Sequence, residues 1–199
     1  MDSQTIITIV AIFITILTLI QGIRMKIRRE EYTELLLDKV EKDVELRQTL
    51  AMGLYMRFKT DQTDDQSAIY LNGDPGEFED FVTDIIETMY GGDMFVSKAS
   101  SNYRIDFENR RDDGMYLGML ACQKDDLDFE TVALMHSNIK KWNAMGGMII
   151  TTASFTENAI KYADGLEIDL ISGIELVEMW LQSLQTEAEQ IKQLNPSHK

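Results

Sequence analysis

The stretch Gly146-Gly147-Met148-Ile149-Ile150-Thr151-Thr152-Ala153-Ser154-Phe155-Thr156-Glu157-Asn158-Ala159 runs on to Ile168-Asp169-Leu170-Ile171-Ser172-Gly173-Ile174-Glu175-Leu176. Met148 to Thr151 is apolar and of strand length, and the Thr-Thr pair breaks it. Phe155 to Tyr162 reads as a short helix, Glu167 to Ile171 as a second short strand, and Ile174 to about Gln193 as a closing helix. Strands alternating with helices favour an α/β architecture with a mixed sheet.

Upstream, Glu130 to Ala144 is helical: Val132, Leu134, Met135, Ile139 and Trp142 form its apolar positions, Lys140-Lys141 sit near its C-terminal end, and Gly146-Gly147 stop it. Three strand candidates precede it. Met94 to Ser97 is short, Tyr103 to Glu108 alternates, and Met115 to Gln123 is long and apolar, with Asn109 to Gly114 read as a polar turn. Pro75-Gly76-Glu77 opens a further helix whose stripe is Phe78, Phe81, Val82, Ile85, Ile86 and Met89, and Gly91-Gly92 end it. The predicted order is helix, three strands, helix, strand, short helix, strand, helix.

The N-terminus has a different character. Ser3 to Ile23 carries no charge. About 20 such residues at roughly 1.5 Å each span a hydrocarbon core of about 30 Å. Arg24, Lys26, Arg28 and Arg29 follow at once, while only Asp2 and the amino terminus precede. The positive-inside rule then predicts a single-pass protein of the cell membrane, with its N-terminus outside and its domain cytoplasmic. A cleaved signal peptide is the rival reading. It wants positive charge before the apolar run and a small-residue cleavage site after it, and Gln21-Gly22-Ile23-Arg24 supplies neither. The expected divisions are a transmembrane anchor at 1–23, a helical stalk at 24–59, an acidic linker at 60–75 and the domain at 76–199. In the stalk Tyr32, Leu36, Val40 and Val44 recur every four residues, and Leu50, Leu54 and Phe58 continue after a slip. Two readings stay open: a coiled coil joining chains into a homo-oligomer through 25–59, or an amphipathic helix lying on its own domain.

The formal net charge is −15. From Asp61 onward there are about 26 acidic and about 10 basic residues, which disfavours a blanket DNA-binding surface and leaves only a local basic patch. Arg110-Arg111 are followed directly by Asp112-Asp113, so that turn reads as solvated. Cys122 is the single cysteine, which excludes an internal disulfide and is compatible with a reducing compartment. His136 has no Cys or His close by in sequence, so a zinc site is not expected. Ser154 lacks a nucleophile elbow, and there is no phosphate-binding glycine loop. Met115, Met119, Met135, Met145 and Met148 read as core filler.

Several short pieces together resemble the Mrr-like catalytic domain of type IV restriction enzymes, over roughly Gly76 to Trp180. Phe78-Glu79 resembles the family's opening Phe-Glu, and Ile105-Asp106-Phe107 its hydrophobic-Asp-hydrophobic strand. Thr151-Thr152 with Phe155 and Ala159 resembles its Thr-Thr…Phe…Ala segment, and Leu170-Ile171-Ser172-Gly173 with Leu176 its closing Leu-Ile-Asp-Gly…Leu. The resemblance implies a restriction-endonuclease-like fold: a mixed sheet flanked by helices, here behind one transmembrane helix and a stalk. It also implies metal-assisted phosphodiester hydrolysis with Mg2+. An Asp and a Gln or Glu hold the cation, and a Lys two residues on positions or activates water.

Asp106 fits the first position and is the candidate metal ligand. The second strand reads Leu120-Ala121-Cys122-Gln123-Lys124-Asp125. In one register Ala121 stands for the Gln/Glu and Gln123 for the Lys. In the other, Cys122 stands for the Gln/Glu and Lys124 for the Lys. Because side chains alternate faces, Gln123 and Lys124 cannot both reach Asp106 without a bulge. The candidate catalytic residues are therefore Asp106, Gln123, Lys124 and Glu79, in a motif that looks degenerate. Three functions remain: a degenerate nuclease-fold module acting through a protein partner in defence or DNA handling, an active Mg2+-dependent DNA endonuclease tethered at the membrane, and an oligomeric membrane scaffold.

Overall fold

The computed structural model describes residues 13–27, 38–40, 42–59, 75–97 and 104–194. They belong to two compact units, Met1–Asp43 and Val44–Lys199.

The first unit contains helix α1, residues 13–27. Phe13, Ile14, Ile16, Leu17, Leu19, Ile20 and Ile23 are all exposed, so apolar side chains cover every side of this helix. Thr18 Oγ1 donates to the Thr15 carbonyl at 2.8 Å, which keeps the hydroxyl satisfied within the helix. Among the described residues no helix is long and apolar enough to cross a membrane. The anchor expected at 1–23 includes residues 1–12, which lie outside the described residues.

The second unit is built from α2 (Val44–Phe58), α3 (Pro75–Tyr90), β1 (Asp93–Val96), β2 (Phe107–Arg111), β3 (Gly114–Ala121), α4 (Phe129–Trp142), β4 (Gly146–Thr151), α5 (Glu157–Ala163), β5 (Ile168–Ile171) and α6 (Gly173–Leu194). The strands form one sheet in the order β1-β2-β3-β4-β5. β1, β2 and β3 are antiparallel neighbours, and β3, β4 and β5 are parallel. Every residue of β4 is buried, as expected of a strand covered by helices on both faces. The elements follow the predicted order.

Two cores sandwich the sheet. One joins Phe107, Met148, Ile150 and Ile171 to Leu54 and Phe58 of α2, Val82 and Ile86 of α3, and Leu176 and Val177 of α6. The other joins Leu117, Met119, Ile149 and Ile168 to Val132 and Met135 of α4 and Ala159 of α5. Burying side chains of this size stabilises the fold by about 1.5–3 kcal/mol each.

Two expectations need correction. The stalk is expected to reach residue 59, whereas Val44–Phe58 form α2 and fall in the domain's compact unit. Spacing every four residues serves a coiled coil or a docked helix equally. Leu54 and Phe58 pack into the core with α3 and α6, while residues 28–37 of the expected stalk lie outside the described residues. The linker at 60–75 lies outside the described residues except for Pro75, which starts α3. Second, Asn109 to Arg111 are strand rather than turn, and only Asp112 and Asp113 make the bend. Arg111 is not solvated there. Its guanidinium lies 4.3 Å from the ring centres of both Tyr90 and Tyr116, a favourable stack for a weakly hydrated cation.

Candidate functional site

Asp106 lies at the entry to β2, two residues after Arg104, whose φ of +52° is left-handed. The Asp106 N–H donates to the Gly118 carbonyl at 2.9 Å, while Phe107 is the register partner of Gly118. Two residues thus stand opposite one, the arrangement of a β-bulge. The bulge explains why Ile105 and Phe107 enter different cores although they are two apart. The Asp106 carbonyl also accepts from the Ser97 N–H at 2.7 Å. Its carboxylate Oδ2 accepts from the Leu120 N–H at 2.6 Å. The side chain is therefore held by its neighbours before any ligand arrives.

Glu79, on α3, is half-buried on the same side. Burial, and then the charge of Asp106, push its carboxyl above the usual carboxylate range, with a further contribution from Asp80. Burial also pushes Asp106 up, opposed by the Leu120 N–H and by Arg104. The fold thus brings the two predicted carboxylates into one electrostatic neighbourhood, which a cation would relieve.

β3 supplies the facing positions. Leu120 and Cys122 pack toward the α2–α3–α6 core, and Ala121 packs toward the α4–α5 core. Cys122 is therefore on the Glu79 side and Ala121 is not. The group of β3 that meets the Asp106 carboxylate is the backbone N–H of Leu120, whose apolar side chain packs into the core. The Cys122 thiol is pushed up by burial, partly offset by a hydrogen bond with Thr152, so it stays protonated.

Gln123 and Lys124 lie beyond the strand end. The Gln123 N–H donates to Thr152 Oγ1 at 3.0 Å, and its Nε2 donates to the Asp125 carbonyl at 2.6 Å. Lys124 is exposed. Both line a cleft with Gln48, Met52 and Tyr55 of α2 and with Ser154, whereas Asp106 and Glu79 are not among the lining residues. Gln123 and Lys124 thus share the strand-end cleft with α2, and Glu79 shares the neighbourhood of Asp106.

The Thr-Thr pair holds these strand ends together. Thr151 Oγ1 donates to the Ala121 carbonyl at 2.9 Å, and Thr152 Oγ1 donates to the Gln123 carbonyl at 2.8 Å. Both residues are buried, so these bonds replace water at the ends of β3 and β4. Ser172 and Glu175 then cap α6 mutually: the Ser172 N–H donates to Glu175 Oε2 at 2.7 Å, and the Glu175 N–H to Ser172 Oγ at 3.4 Å.

Among the described residues no group of three or more His, Cys, Asp or Glu side chains is placed to hold a metal ion. Asp106 and Glu79 are the carboxylates on offer.

The catalytic-domain family described as restriction endonuclease, of Mrr type, matches residues 71–180, more than half of the 199-residue chain. The chain belongs to that family. Among solved structures it resembles the DNA modification-dependent restriction endonuclease AspBHI, with a TM-score of 0.53 and 15% identity over 71% of this chain. It spans 38% of the length of AspBHI, so the likeness speaks for the fold of the shared part. The MspJI restriction endonuclease, solved in complex with a 27-mer oligonucleotide, is similar at 18% identity, with a TM-score of 0.45 over 63% of this chain and 34% of that one. No curated protein matches significantly.

Restriction endonucleases of this kind use Mg2+ when active, and a hard cation needs several oxygen ligands. Here the groups near Asp106 are the Glu79 carboxylate and the Leu120 backbone N–H, and the Cys122 thiol is neutral and too soft for magnesium. Sequence inspection passed over the Leu120 N–H as a partner of Asp106, because that contact depends on the bulge at Asp106. It also missed Tyr55, which only the docking of α2 brings to Cys122.

Proposed function

We propose that this protein is a membrane-held, restriction-endonuclease-fold module whose hydrolytic site is degenerate and which acts through a protein partner in defence or DNA handling. The observation that carries the reading is that β3, whose Leu120 N–H meets the Asp106 carboxylate, offers Leu120 and Cys122 to the α3 side that carries Glu79. Phosphodiester hydrolysis needs a second oxygen ligand there, and a cation beside the charge that develops on phosphate. A leucine side chain cannot ligate, and a half-buried neutral thiol carries no charge and is too soft for magnesium. The net charge of −15 adds to the case against tight non-specific DNA binding. Membrane attachment rests on the uncharged run from Ser3 to Ile23 and the four cations after it, with the domain on the cytoplasmic side.

The test uses the full chain in detergent with plasmid and linear DNA, methylated and unmethylated, with magnesium or manganese. Cleavage is expected to stay at the level of Asp106→Ala. Cleavage well above that level, and lost in Asp106→Ala, overturns the degenerate site.

One observation favours a second reading, an active endonuclease tethered at the membrane. Burial and then the Asp106 charge raise the cost of ionising Glu79, and a bound cation lowers that cost. In that case Lys124 supplies the ammonium, and Lys124→Ala abolishes the cleavage that wild type shows.

A further inference from the structure

Helix α2 is the domain's first element and lies outside the matched residues 71–180. It nevertheless covers the site face. The Tyr55 carbonyl of α2 is 3.9 Å from Cys122 Sγ. Ala51 packs on the start of α6 so closely that a Cβ on Gly173 would stand 3.2 Å from its own. Phe58 lies 5.3 Å from the Phe78 ring and 5.4 Å from the Phe81 ring. Arg47 pairs with Glu178 of α6 across the top of this seam.

Leu54 is buried in the same seam and Leu50 packs against it, while the side toward the strand ends is an open cleft. Gln48, Met52 and Tyr55 face Lys124 and Ser154 across the cleft at the strand ends. A helix docked by a few apolar residues and one ion pair, beside an unfilled cleft, opens at lower cost than a sheet whose central strand is wholly buried. α2 also begins where the first unit ends, so whatever acts on residues before Val44 reaches the domain through it.

We propose that α2 is a releasable strap, which covers the Cys122 end of β3 when docked and exposes it, together with Phe81 and Trp180, on release. The released state is a local opening and leaves the sheet folded. This goes beyond the reading of the site as degenerate and holds whether or not the site cuts DNA.

Cys122 is the chain's only cysteine, which makes it a built-in reporter. Its reaction rate with Ellman's reagent is measured on the full chain in detergent, with increasing urea, in wild type, Arg47→Met and Val132→Ala. Val132 lies in the other core, away from α2. Arg47→Met is expected to speed labelling roughly tenfold, the change given by losing about one charge-assisted hydrogen bond. Val132→Ala is expected to lower global stability and leave the labelling rate unchanged. Labelling in wild type should respond to urea more weakly than global unfolding does, since less surface is exposed. The strap is overturned if labelling follows global stability in both variants with the full urea slope, or if the wild-type thiol already reacts like a free one. Should Arg47→Met fail to fold, hydrogen exchange on wild type decides. α2 amides that exchange well ahead of β3 and β4 support the strap, and α2 amides that exchange only together with them overturn it.

Discussion

Asp106 shows how one residue's role is set by its backbone neighbours. Its carboxylate takes the Leu120 N–H as a partner and yet is held above the usual carboxylate range, because burial outweighs that bond and the Arg104 charge. The folded chain therefore keeps this proton more tightly than the unfolded chain. Ionising Asp106 costs no stability below its ordinary carboxylate value, and the cost is complete above its raised folded value. Asp106→Asn keeps an oxygen for the Leu120 N–H and removes the charge. Thermal melts should show the variant more stable than wild type at pH 7, with the advantage shrinking as pH falls through the carboxylate range. A wild type that is the more stable at pH 7 would refute this account. The sequence showed Asp106 and Glu79 as candidates because carboxylates on a strand and a helix recur in this chemistry. It could not show that the Leu120 N–H reaches the Asp106 carboxylate, since the bulge shifts the pairing.

At the scale of elements, β3 is constrained from both faces. Gly118 sits opposite Phe107, and a Cβ there would run into the Phe107 ring, which fills the core beneath α3 and α6. Gly118→Ala is expected to destabilise the domain by about 1–3 kcal/mol through overpacking, read as a lower urea midpoint with unchanged slope. An unchanged midpoint would mean that the ring has room to move. The strands, and the helices between them, were legible because alternation and helical spacing are local signals. The hairpin was placed too early in β2: Arg110 and Arg111 look like turn residues next to Asp112-Asp113, but Phe95, Tyr90 and Tyr116 give their guanidiniums aromatic faces. That stabilisation comes from residues distant in sequence, so no local pattern announces it.

For the whole molecule, the two units differ in what they offer water. The domain buries its apolar faces between sheet and helices, whereas α1 leaves isoleucines and leucines exposed on every side. A helix with that surface is costly in water and stable in lipid. The proposed anchor predicts that the full chain stays with the membrane pellet after alkaline carbonate extraction, and that removing residues 1–23 releases it. Recovery of the full chain in the supernatant would remove the membrane from the proposal.

Charge balance, the uncharged N-terminal run, the order of strands and helices and the family resemblance could all be read from the chain in one dimension. Each depends on composition or on neighbours within a few residues. The face on which Cys122 points, the cleft that Lys124 and Gln123 share with α2, and the place of α2 in the domain needed the folded chain. These depend on a bulge, on strand register and on which apolar surface a helix finds. Each brings together residues far apart in sequence, and packing rather than local preference settles them.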